Sequence, residues 1–271
     1  MESVCDAHAI VLVVIEDTNQ NQLDQKFVEF ELEKVSENKV NCLRLTFTQC
    51  TNRLSLDQDT YSLLVDGGKH KVPEWQARLT IERSTAIKCP WIGLQLANTK
   101  KIQQVLDGAG VVEHYFPRQP QMAADVRSTF ADLWGLENDD EQTTNVIQDA
   151  ISNPHKYVLK PQLEGGAGNY YDEQITQKLK TFSPQQRAAH ILMQKISPLV
   201  VKNYLIRPFH KPVLVQAVSE LGIYGCLLGN GEDMSISTNI SHGHILRSKG
   251  EKVNEGGVAV GAAVIDTPFL I

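Results

Sequence analysis

A short apolar run that ends in a lysine and opens into a glycine-rich loop constrains this chain more than any other segment. Residues 156–171 read KYVLKPQLEGGAGNYY, and the apolar run ends at Lys160. Glycine allows backbone dihedral angles that are closed to other residues, so the loop can turn sharply. The loop contains one acidic residue and three glycines, namely Glu164, Gly165, Gly166 and Gly168. The segment therefore predicts a strand that leads into a pliable turn.

The composition of this loop suits a phosphate group. Successive backbone N–H groups exposed by glycines can wrap an anion, and a lysine ammonium at the mouth of the loop adds a positive charge. A loop carboxylate can hold Mg²⁺, which usually lies between one or two carboxylates and substrate phosphates. These features indicate a nucleoside triphosphate site. A hairpin with an ordinary glycine-rich turn explains the same residues, and both interpretations stay open.

Composition and charge favour a soluble cytosolic protein. The formal net charge is −6 over 271 residues, which argues against bulk attraction to nucleic acid. No apolar run is long enough to span a bilayer, and the start MESVCDAHAIVLVVIED predicts a first strand rather than a signal peptide. The cysteines are scattered and never form a C-x-x-C pair, which is typical of reduced thiols and gives no indication of zinc. They are Cys5, Cys42, Cys50, Cys89 and Cys226.

Strand, helix and strand patterns follow one another in the first fifty residues and predict the start of an α/β layer. Residues 9–15 form a buried apolar run, and residues 43–47 alternate as a half-buried strand. Between them, Leu23, Phe27 and Phe30 recur at helical spacing. Further strands are predicted at residues 61–65, 191–196, 204–207, 213–218 and 244–247, so the last hundred residues predict an antiparallel sheet. Further helices are predicted at residues 75–83, 96–106, 122–136 and 145–151, with a solvated acidic loop at residues 137–141.

Three more constellations admit both a structural and a ligand-binding interpretation. Residues 191–196 are typical of a core strand, but such a strand edge can also hydrogen-bond adenine through its backbone. Arg247 and Lys249 precede a loop of small residues at 255–263, where two cations would suit a carboxylate and a phosphate. A tight packing corner explains that loop equally well. Glu220, at the end of an apolar run, could bind sugar hydroxyls or simply precede a turn.

The order of these motifs resembles eukaryotic-type glutathione synthetase. The motifs are VLKPQ-x-EGG-x-x-N, ILM-x-KI, SELGI-x-G, LR-x-K and GGVA-x-G. The resemblance implies an α/β (α+β) chain with an ATP-grasp fold and an adjoining three-layer α/β substrate-binding domain. Residues 1–107 would then bind substrate, and residues 108–271 would form the ATP-grasp domain with a glycine-rich lid at 160–200.

The resemblance also implies an activity and its cofactors. Members of the family join γ-glutamylcysteine to glycine through an acyl phosphate at the expense of ATP, with Mg²⁺, and they work as homodimers in glutathione biosynthesis. The implied partners are therefore ATP, γ-glutamylcysteine, glycine and a second copy of the chain, with no nucleic acid and no membrane. The implied location is the cytosol.

The site residues that the resemblance implies fall into four groups. Those similar to ATP-binding positions are Lys100, Lys160, Gln162, Glu164, Gly165, Gly166, Asn169, Tyr171, Met193, Gln194, Lys195, Ile196, Glu220, Lys249 and Glu255. Those similar to substrate-binding positions are Asn21, Gln25, Arg247, Val258 and Ala259. Arg247 and Lys160 resemble catalytic positions, and Glu164 resembles a metal ligand.

The chain also departs from the family. It lacks the long N-terminal region that supplies two further Mg²⁺ ligands, and a substrate-binding segment is missing between Val72 and Trp75. An alternative hypothesis follows, namely a truncated, catalytically impaired ATP-binding paralogue or isoform that acts as a partner of a full-length enzyme. A third hypothesis is that the incomplete α/β core exposes an apolar patch and aggregates when the chain is alone.

Overall fold

A computed structural model describes residues 9–18, 21–37, 39–66, 74–162, 168–230, 233, 235–258 and 261–269. The chain forms two compact units, residues 1–95 and 96–271, and the division falls within a short helix, Ile92–Ala97. The predicted assignment of residues 1–107 to substrate binding and residues 108–271 to nucleotide binding stays a prediction.

The first unit contains two small sheets. Its strands are β1 (Ile10–Ile15), β2 (Asn41–Thr46), β3 (Leu54–Leu56) and β4 (Leu63–Val65). Its helices are α1 (Gln22–Val35), α2 (Phe47–Arg53), α3 (Glu74–Arg83) and, at the division, α4 (Ile92–Ala97). β1 and β2 pair in parallel with α1 as the crossover, and β3 and β4 pair antiparallel. The predicted strand–helix–strand order is confirmed.

The core of the first unit lies where β2, α2 and α3 meet. Leu45, Cys50 and Ala77 are fully buried there, and Leu54 completes the cluster. α2 begins with a capping box in which Thr46 and Gln49 satisfy each other's backbone N–H groups. This cap explains why the alternating run at residues 43–47 ends as a strand at Thr46 and continues as a helix.

Helix α1 presents its polar side to the unit and its apolar side to solvent. Leu23, Phe27 and Phe30 are between 54% and 78% exposed, whereas Glu29 is only 3% exposed. The spacing therefore predicted the helix correctly, but the apolar stripe does not contact the core. An exposed apolar stripe of several large side chains usually marks a surface that binds apolar ligands or partners.

We expect this stripe to bind the dye anilinonaphthalene sulfonate in the folded chain, because exposed aromatic and aliphatic side chains lie together on it. Replacing Leu23, Phe27 and Phe30 together with Gln should lower the dye fluorescence and leave the melting temperature nearly unchanged. Leu45→Ala, at a buried position, is the contrasting control and should cost about 2–5 kcal/mol of stability. Unchanged fluorescence in the triple variant would contradict the prediction.

The second unit contains two four-stranded sheets. Its strands are β5 (Leu133–Gly135), β6 (Tyr157–Pro161), β7 (Tyr170–Tyr171), β8 (His190–Gln194), β9 (Val201–Leu205), β10 (Val213–Gly229), β11 (Ile236–Gly250) and β12 (Val264–Asp266). Its helices are α5 (Lys100–Asp107), α6 (Val111–Tyr115), α7 (Pro120–Arg127), α8 (Glu141–Ser152), α9 (Glu173–Thr181) and α10 (Pro184–Ala188). The strand orders are β5-β8-β6-β7 and β12-β11-β10-β9, and every pairing is antiparallel. The predicted antiparallel sheet in the last hundred residues is confirmed.

Helices α8 and α9 pack on the first of these sheets and close the core of the second unit. Leu159 and Leu192 from the sheet and Ala150 and Ile175 from the helices are fully buried. This packing fixes β6, whose C-terminal end carries Lys160, against rigid neighbours. The lysine therefore extends from a core strand rather than from a mobile loop.

Three helix predictions need correction. The helix expected at 122–136 ends at Arg127, because the hydroxyls of Ser128 and Thr129 bond the preceding carbonyls and residues 133–135 pair with β8. The helix expected at 96–106 is broken into α4 and α5 at Thr99. The acidic run is only partly loop, since Asp140 caps α8, which begins four residues earlier than the predicted helix.

The described helices include none with the length and apolar character that a membrane span requires. The described cysteines, Cys42, Cys50, Cys89 and Cys226, are free thiols, and Cys5 lies outside the described residues.

Candidate nucleotide-binding site

The glycine-rich loop is the turn of a β-hairpin. Strands β6 and β7 pair antiparallel, with Val158 opposite Tyr171. Gly168 has φ of +78°, a left-handed conformation that favours glycine. Glu164, Gly165 and Gly166 lie outside the described residues. The hairpin interpretation is therefore confirmed, and phosphate binding by the same loop stays a prediction.

Lys160 and Lys100 form a like-charged pair near the end of β6 that leads into the glycine-rich loop. Burial lowers the pKa of Lys160, and the positive charge of Lys100 lowers it further, whereas Glu255 opposes the shift. An anionic ligand beside two neighbouring ammonium groups stabilises their charged forms. The position of the pair is therefore compatible with a polyanion such as the phosphate tail of ATP.

Gln162 ties the hairpin to helix α5. Its Oε1 accepts a hydrogen bond from the backbone N–H of Lys101, with an N–O distance of 3.0 Å. The side chain of Lys101 pairs with Glu137 and bonds Gln104 at 2.6 Å. The contact holds the N-terminal end of α5, and with it Lys100, next to the strand that carries Lys160.

Glu220 gathers the two cations that the sequence assigned to substrate and phosphate. Glu220 and Arg247 are direct neighbours across β10 and β11. The Glu220 carboxylate lies 3.0 Å from Arg247 Nη2 and 2.7 Å from Lys249 Nζ. Lys249 is nearly buried and also donates to the carbonyl of Asn254 at 2.9 Å. One of the two interpretations of Glu220 placed a turn after it, and this one is wrong because β10 continues to Gly229.

The small-residue loop closes on the same carboxylate. A Cβ added to Gly256 would lie 2.9 Å from Glu220 Oε2, so only glycine fits without displacing the carboxylate. Within the loop, Val258 accepts a backbone hydrogen bond from Gly261 at 2.9 Å. Ala259 lies outside the described residues. The packing-corner interpretation of this loop is thus supported at Gly256, and substrate binding by Val258 and Ala259 stays a prediction.

Glu255 connects this loop to the glycine-rich hairpin. Its Oε1 accepts hydrogen bonds from Tyr171 Oη at 2.9 Å and from Asn169 Nδ2 at 3.2 Å. Burial raises the pKa of Tyr171 to about 12, and the neighbouring Glu255 carboxylate raises it while the hydrogen bond from Asn169 opposes the rise. Three residues that the sequence assigned separately to ATP therefore form one hydrogen-bonded cluster.

Replacing Glu255 with Ala should loosen the hairpin, because both Asn169 and Tyr171 lose their shared acceptor. Amide hydrogen exchange at residues 168–171 should accelerate by about tenfold, the equivalent of one or two lost hydrogen bonds. Glu251→Ala, an exposed acidic position four residues earlier, is the matched control. Equal exchange in the two variants would show that Glu255 does not hold the hairpin.

The predicted adenine-binding strand end lies beside the hairpin. Met193 sits in β8 between Leu133 and Val158 of the neighbouring strands. The N–H of Gln194 donates to the carbonyl of Asp132 at 2.9 Å. The N–H of Lys195 donates to the carbonyl of Lys156 at 2.7 Å. Backbone donation to adenine at this position would therefore fall to Ile196, whose side chain is 65% exposed.

The ammonium of Lys195 lies near the same hairpin. Its Nζ is 5.9 Å from the centre of the Tyr171 ring and 3.9 Å from a carboxylate oxygen of Asp172. Lys160, Asn169, Tyr171 and Lys195 thus surround the end of the hairpin.

The two predicted substrate residues of the first unit lie on helix α1. Asn21 is the N-cap of the helix, and Gln25 follows one turn later. Gln25 Oε1 accepts from Arg44 Nη2 at 2.6 Å, and Arg44 also pairs with the buried Glu29. A hydrogen bond from Lys26 and the charge of Arg44 lower the pKa of Glu29 against the effect of burial.

Sequence reasoning missed Glu29 and Arg44, although the spacing of four residues in Asn21, Gln25 and Glu29 marks one helix face.

A separate cavity of about 490 Å³ lies in the second unit, and none of the predicted ATP residues lines it. Its walls come from the C-terminal end of α5, from β5 and from the start of α8, and they carry the carboxylates of Asp107, Asp132, Glu137 and Asp140. Four carboxylates would repel a polyphosphate. The lysine-bearing hairpin is therefore the better candidate for the nucleotide.

Comparison with known proteins agrees with the motif order. The profile of the eukaryotic glutathione synthase ATP-binding domain matches residues 2–270. Glutathione synthetase from Bos taurus is 39% identical over 278 residues, covering 97% of this chain and 57% of the relative. Glutathione synthetase from Dictyostelium discoideum is 35% identical over 280 residues, with 97% and 58% covered. This chain therefore spans somewhat more than half the length of the curated relatives it matches.

A solved structure shares the fold. The apo form of a glutathione synthetase-like effector from Globodera pallida matches with a TM-score of 0.70 and 31% identity, covering 98% of this chain and 58% of that chain. The predicted α/β (α+β) fold class of the ATP-grasp type is confirmed by this likeness together with the family profile. Since the profile spans nearly the whole sequence, this chain belongs to the eukaryotic glutathione synthase family, within its ATP-binding domain.

Proposed function

We propose that this chain binds ATP through Lys100 and Lys160 and acts as a glutathione synthetase-like ligase that joins γ-glutamylcysteine to glycine. The observation that carries the proposal is the like-charged lysine pair at the mouth of the hairpin. Burial and the charge of Lys100 lower the pKa of Lys160, and a phosphate of ATP beside Lys160 would stabilise its charged form. The family membership of the chain supports the same ligand.

The reaction has two steps. The terminal carboxylate of γ-glutamylcysteine attacks the γ-phosphorus of ATP, so an acyl phosphate forms and ADP leaves. The amine of glycine then attacks the acyl carbon, a peptide bond forms, and inorganic phosphate departs. Like charges on ATP and on the carboxylate repel each other, so cations must neutralise both groups.

The second unit offers a residue for each of these tasks. Lys100 and Lys160 neutralise the phosphates of ATP. Arg247 gives up its ion pair with Glu220 and binds the carboxylate of the peptide substrate instead. Glu255, Asn169 and Tyr171 couple the small-residue loop to the hairpin, so the two can close together and exclude water from the acyl phosphate. The hydrogen bond from the Lys101 N–H to Gln162 keeps Lys100, at the start of α5, next to the strand that carries Lys160.

Mg²⁺ fits this site as an ion that arrives with ATP. Among the described residues, no group of three or more His, Cys, Asp or Glu side chains is placed to hold a metal. Mg²⁺ needs only one or two protein carboxylates when phosphates supply its other ligands, and Glu164 is the proposed protein ligand. When bound, the ion would neutralise phosphate charge.

The assembly and location are part of the same proposal. A homodimer in the cytosol is consistent with the family, and sedimentation analysis of the purified chain tests the dimer.

Calorimetry with Mg²⁺ and a non-hydrolysable ATP analogue tests the nucleotide site, and a coupled assay of glutathione formation tests the ligase. We expect saturable nucleotide binding and product that depends on both γ-glutamylcysteine and glycine. Absence of nucleotide binding would overturn the whole proposal. ADP release without glutathione would overturn the ligase activity and favour the impaired ATP-binding paralogue.

A further inference from the structure

The buried side of helix α1 carries charge and amide groups where a helix usually carries apolar residues. Asn21, Gln25 and Glu29 follow at intervals of four residues and therefore share one face. Glu29 is 3% exposed, whereas the apolar residues of the helix face solvent. Removing a carboxylate from water costs several kcal/mol, so this arrangement stabilises the fold poorly compared with an apolar face. Such a cost points to a binding role for the polar face.

Arg44 from strand β2 organises this polar face. Its guanidinium pairs with Glu29 through Nη1, and its Nη2 donates to Gln25 Oε1 at 2.6 Å. Lys26 also binds Glu29, at 2.5 Å. Glu29 thus compensates the buried charge of Arg44 and fixes the direction of the guanidinium, which leaves the second nitrogen aimed at Gln25.

The contact with Arg44 determines how Gln25 presents its amide. A guanidinium has only hydrogen-bond donors, so the group that faces it must be the amide oxygen. The Nε2 group then points away from Arg44, and within the described part of the chain it has no hydrogen-bond partner.

We propose that Arg44 is a positioning residue that holds Gln25 so that its Nε2–H groups meet a hydrogen-bond acceptor of the substrate, a carboxylate or carbonyl oxygen. This inference rests on the proposed function, in which Gln25 contacts γ-glutamylcysteine. It adds a direction to that contact, because the site then rejects a substrate group that can only donate. It also gives the buried pair of Glu29 and Arg44 a purpose beyond stability.

The sharpest variant is Gln25→Glu. The new carboxylate keeps the size of glutamine and still accepts from Arg44, so the helix should fold as before. The second carboxylate oxygen takes the place of the Nε2 donor, so this oxygen and the acceptor oxygen of the substrate would face each other without a hydrogen between them. Calorimetry of γ-glutamylcysteine with the whole chain, saturated with Mg²⁺ and a non-hydrolysable ATP analogue, should show affinity about 10- to 100-fold lower. Gln22→Glu makes the same chemical change at an exposed position of the helix and should bind normally.

Variants of Arg44 test the positioning role itself. Arg44→Met should lower the affinity by a similar factor, and Arg44→Lys should restore part of it. Because Arg44→Met leaves Glu29 without its guanidinium and could unfold the unit, the double variant Glu29→Gln with Arg44→Met provides a folded alternative. In the unliganded chain, nitrogen–proton NMR resolves the two Nε2 protons of Gln25, assigned by their loss in Gln25→Glu. Their chemical shifts should differ from those of an exposed glutamine side chain with Arg44 present and should move towards those values without it.

Normal binding by Gln25→Glu would overturn the inference, and so would an unchanged Gln25 amide spectrum in the variants that lack Arg44. No binding of γ-glutamylcysteine to the unsubstituted chain would also overturn it, while nucleotide calorimetry would still decide the ATP site separately. Binding without glutathione formation would leave the inference intact and remove the ligase activity.

Discussion

Replacing Lys160 with Met should weaken ATP binding by about 10- to 100-fold and, at neutral pH, raise the melting temperature of the chain. The loss of affinity follows from the removal of a charged hydrogen-bond donor, which is typically worth about 1.5–3 kcal/mol. The gain in stability has a different cause. Burial lowers the pKa of Lys160, which means that the folded chain holds the charged form at a cost. Methionine keeps the length of the side chain and removes that cost.

The sign of the pH dependence can be worked out from the same shift. An unfolded lysine has a pKa near 10.5, and the folded pKa of Lys160 is lower. Between the two values the unfolded chain binds more protons, so the free energy of unfolding rises with pH across that window. Below the window the penalty is fully present. The stabilisation by Lys160→Met should therefore be largest near neutral pH and should shrink as the pH approaches 10.5.

Calorimetry of nucleotide binding and thermal melts at pH 7 and pH 9.5 measure both effects. The stability gain should appear as a melting temperature that rises more at pH 7 than at pH 9.5, where each 1 kcal/mol corresponds to about 2–4 °C for a domain of this size. Lys156→Met is the matched control, because Lys156 is exposed and lies just before the same strand. Unchanged nucleotide affinity in Lys160→Met would mean that the phosphates bind elsewhere.

Local sequence patterns predicted the helices and strands of this chain better than they predicted which strands pair with each other. The apolar run before Lys160 and the glycines after it predicted a strand and a turn because both depend on nearby residues. The helix expected across residues 122–136 was wrong because β5 is specified by its pairing with β8, more than fifty residues away. Propensity within a short window does not contain that information.

The same limit applies to the candidate site. Asn169, Tyr171 and Glu255 were each predicted from motifs, but their convergence on one cluster depends on a contact across more than eighty residues. For Glu220 the sequence left a ligand contact and a position before a turn both open, since the cross-strand register that pairs it with Arg247 is invisible in the sequence. For helix α1 the spacing predicted the helix but not its orientation. Apolar stripes usually face inward, but here the inward face carries Glu29, which pairs with Arg44 of strand β2.

Replacing Glu220 with Leu should destabilise the second unit by about 3 kcal/mol, because it leaves the nearly buried Lys249 without a carboxylate partner. For a domain of this size, that loss lowers the melting temperature by roughly 6–12 °C. The carbonyl of Asn254 would remain as an acceptor for Lys249, but a neutral oxygen compensates a buried ammonium only in part. Glu31→Ala breaks the exposed pair with Lys34 and should cost less than about 0.5 kcal/mol.

A second substitution separates the ion pair from simple packing. Adding Lys249→Met to Glu220→Leu removes the unpaired charge and should recover most of the lost melting temperature, since apolar pairs often replace buried ion pairs without loss. If Glu220→Leu alone melts like Glu31→Ala, the carboxylate does not stabilise Lys249. If the double variant remains as unstable as the single one, the loss comes from Glu220 packing on Gly256 instead. Because the double variant also lacks Lys249, a predicted ATP contact, the rescued protein should bind nucleotide more weakly, which separates the stabilising role of Lys249 from its predicted role at the phosphates.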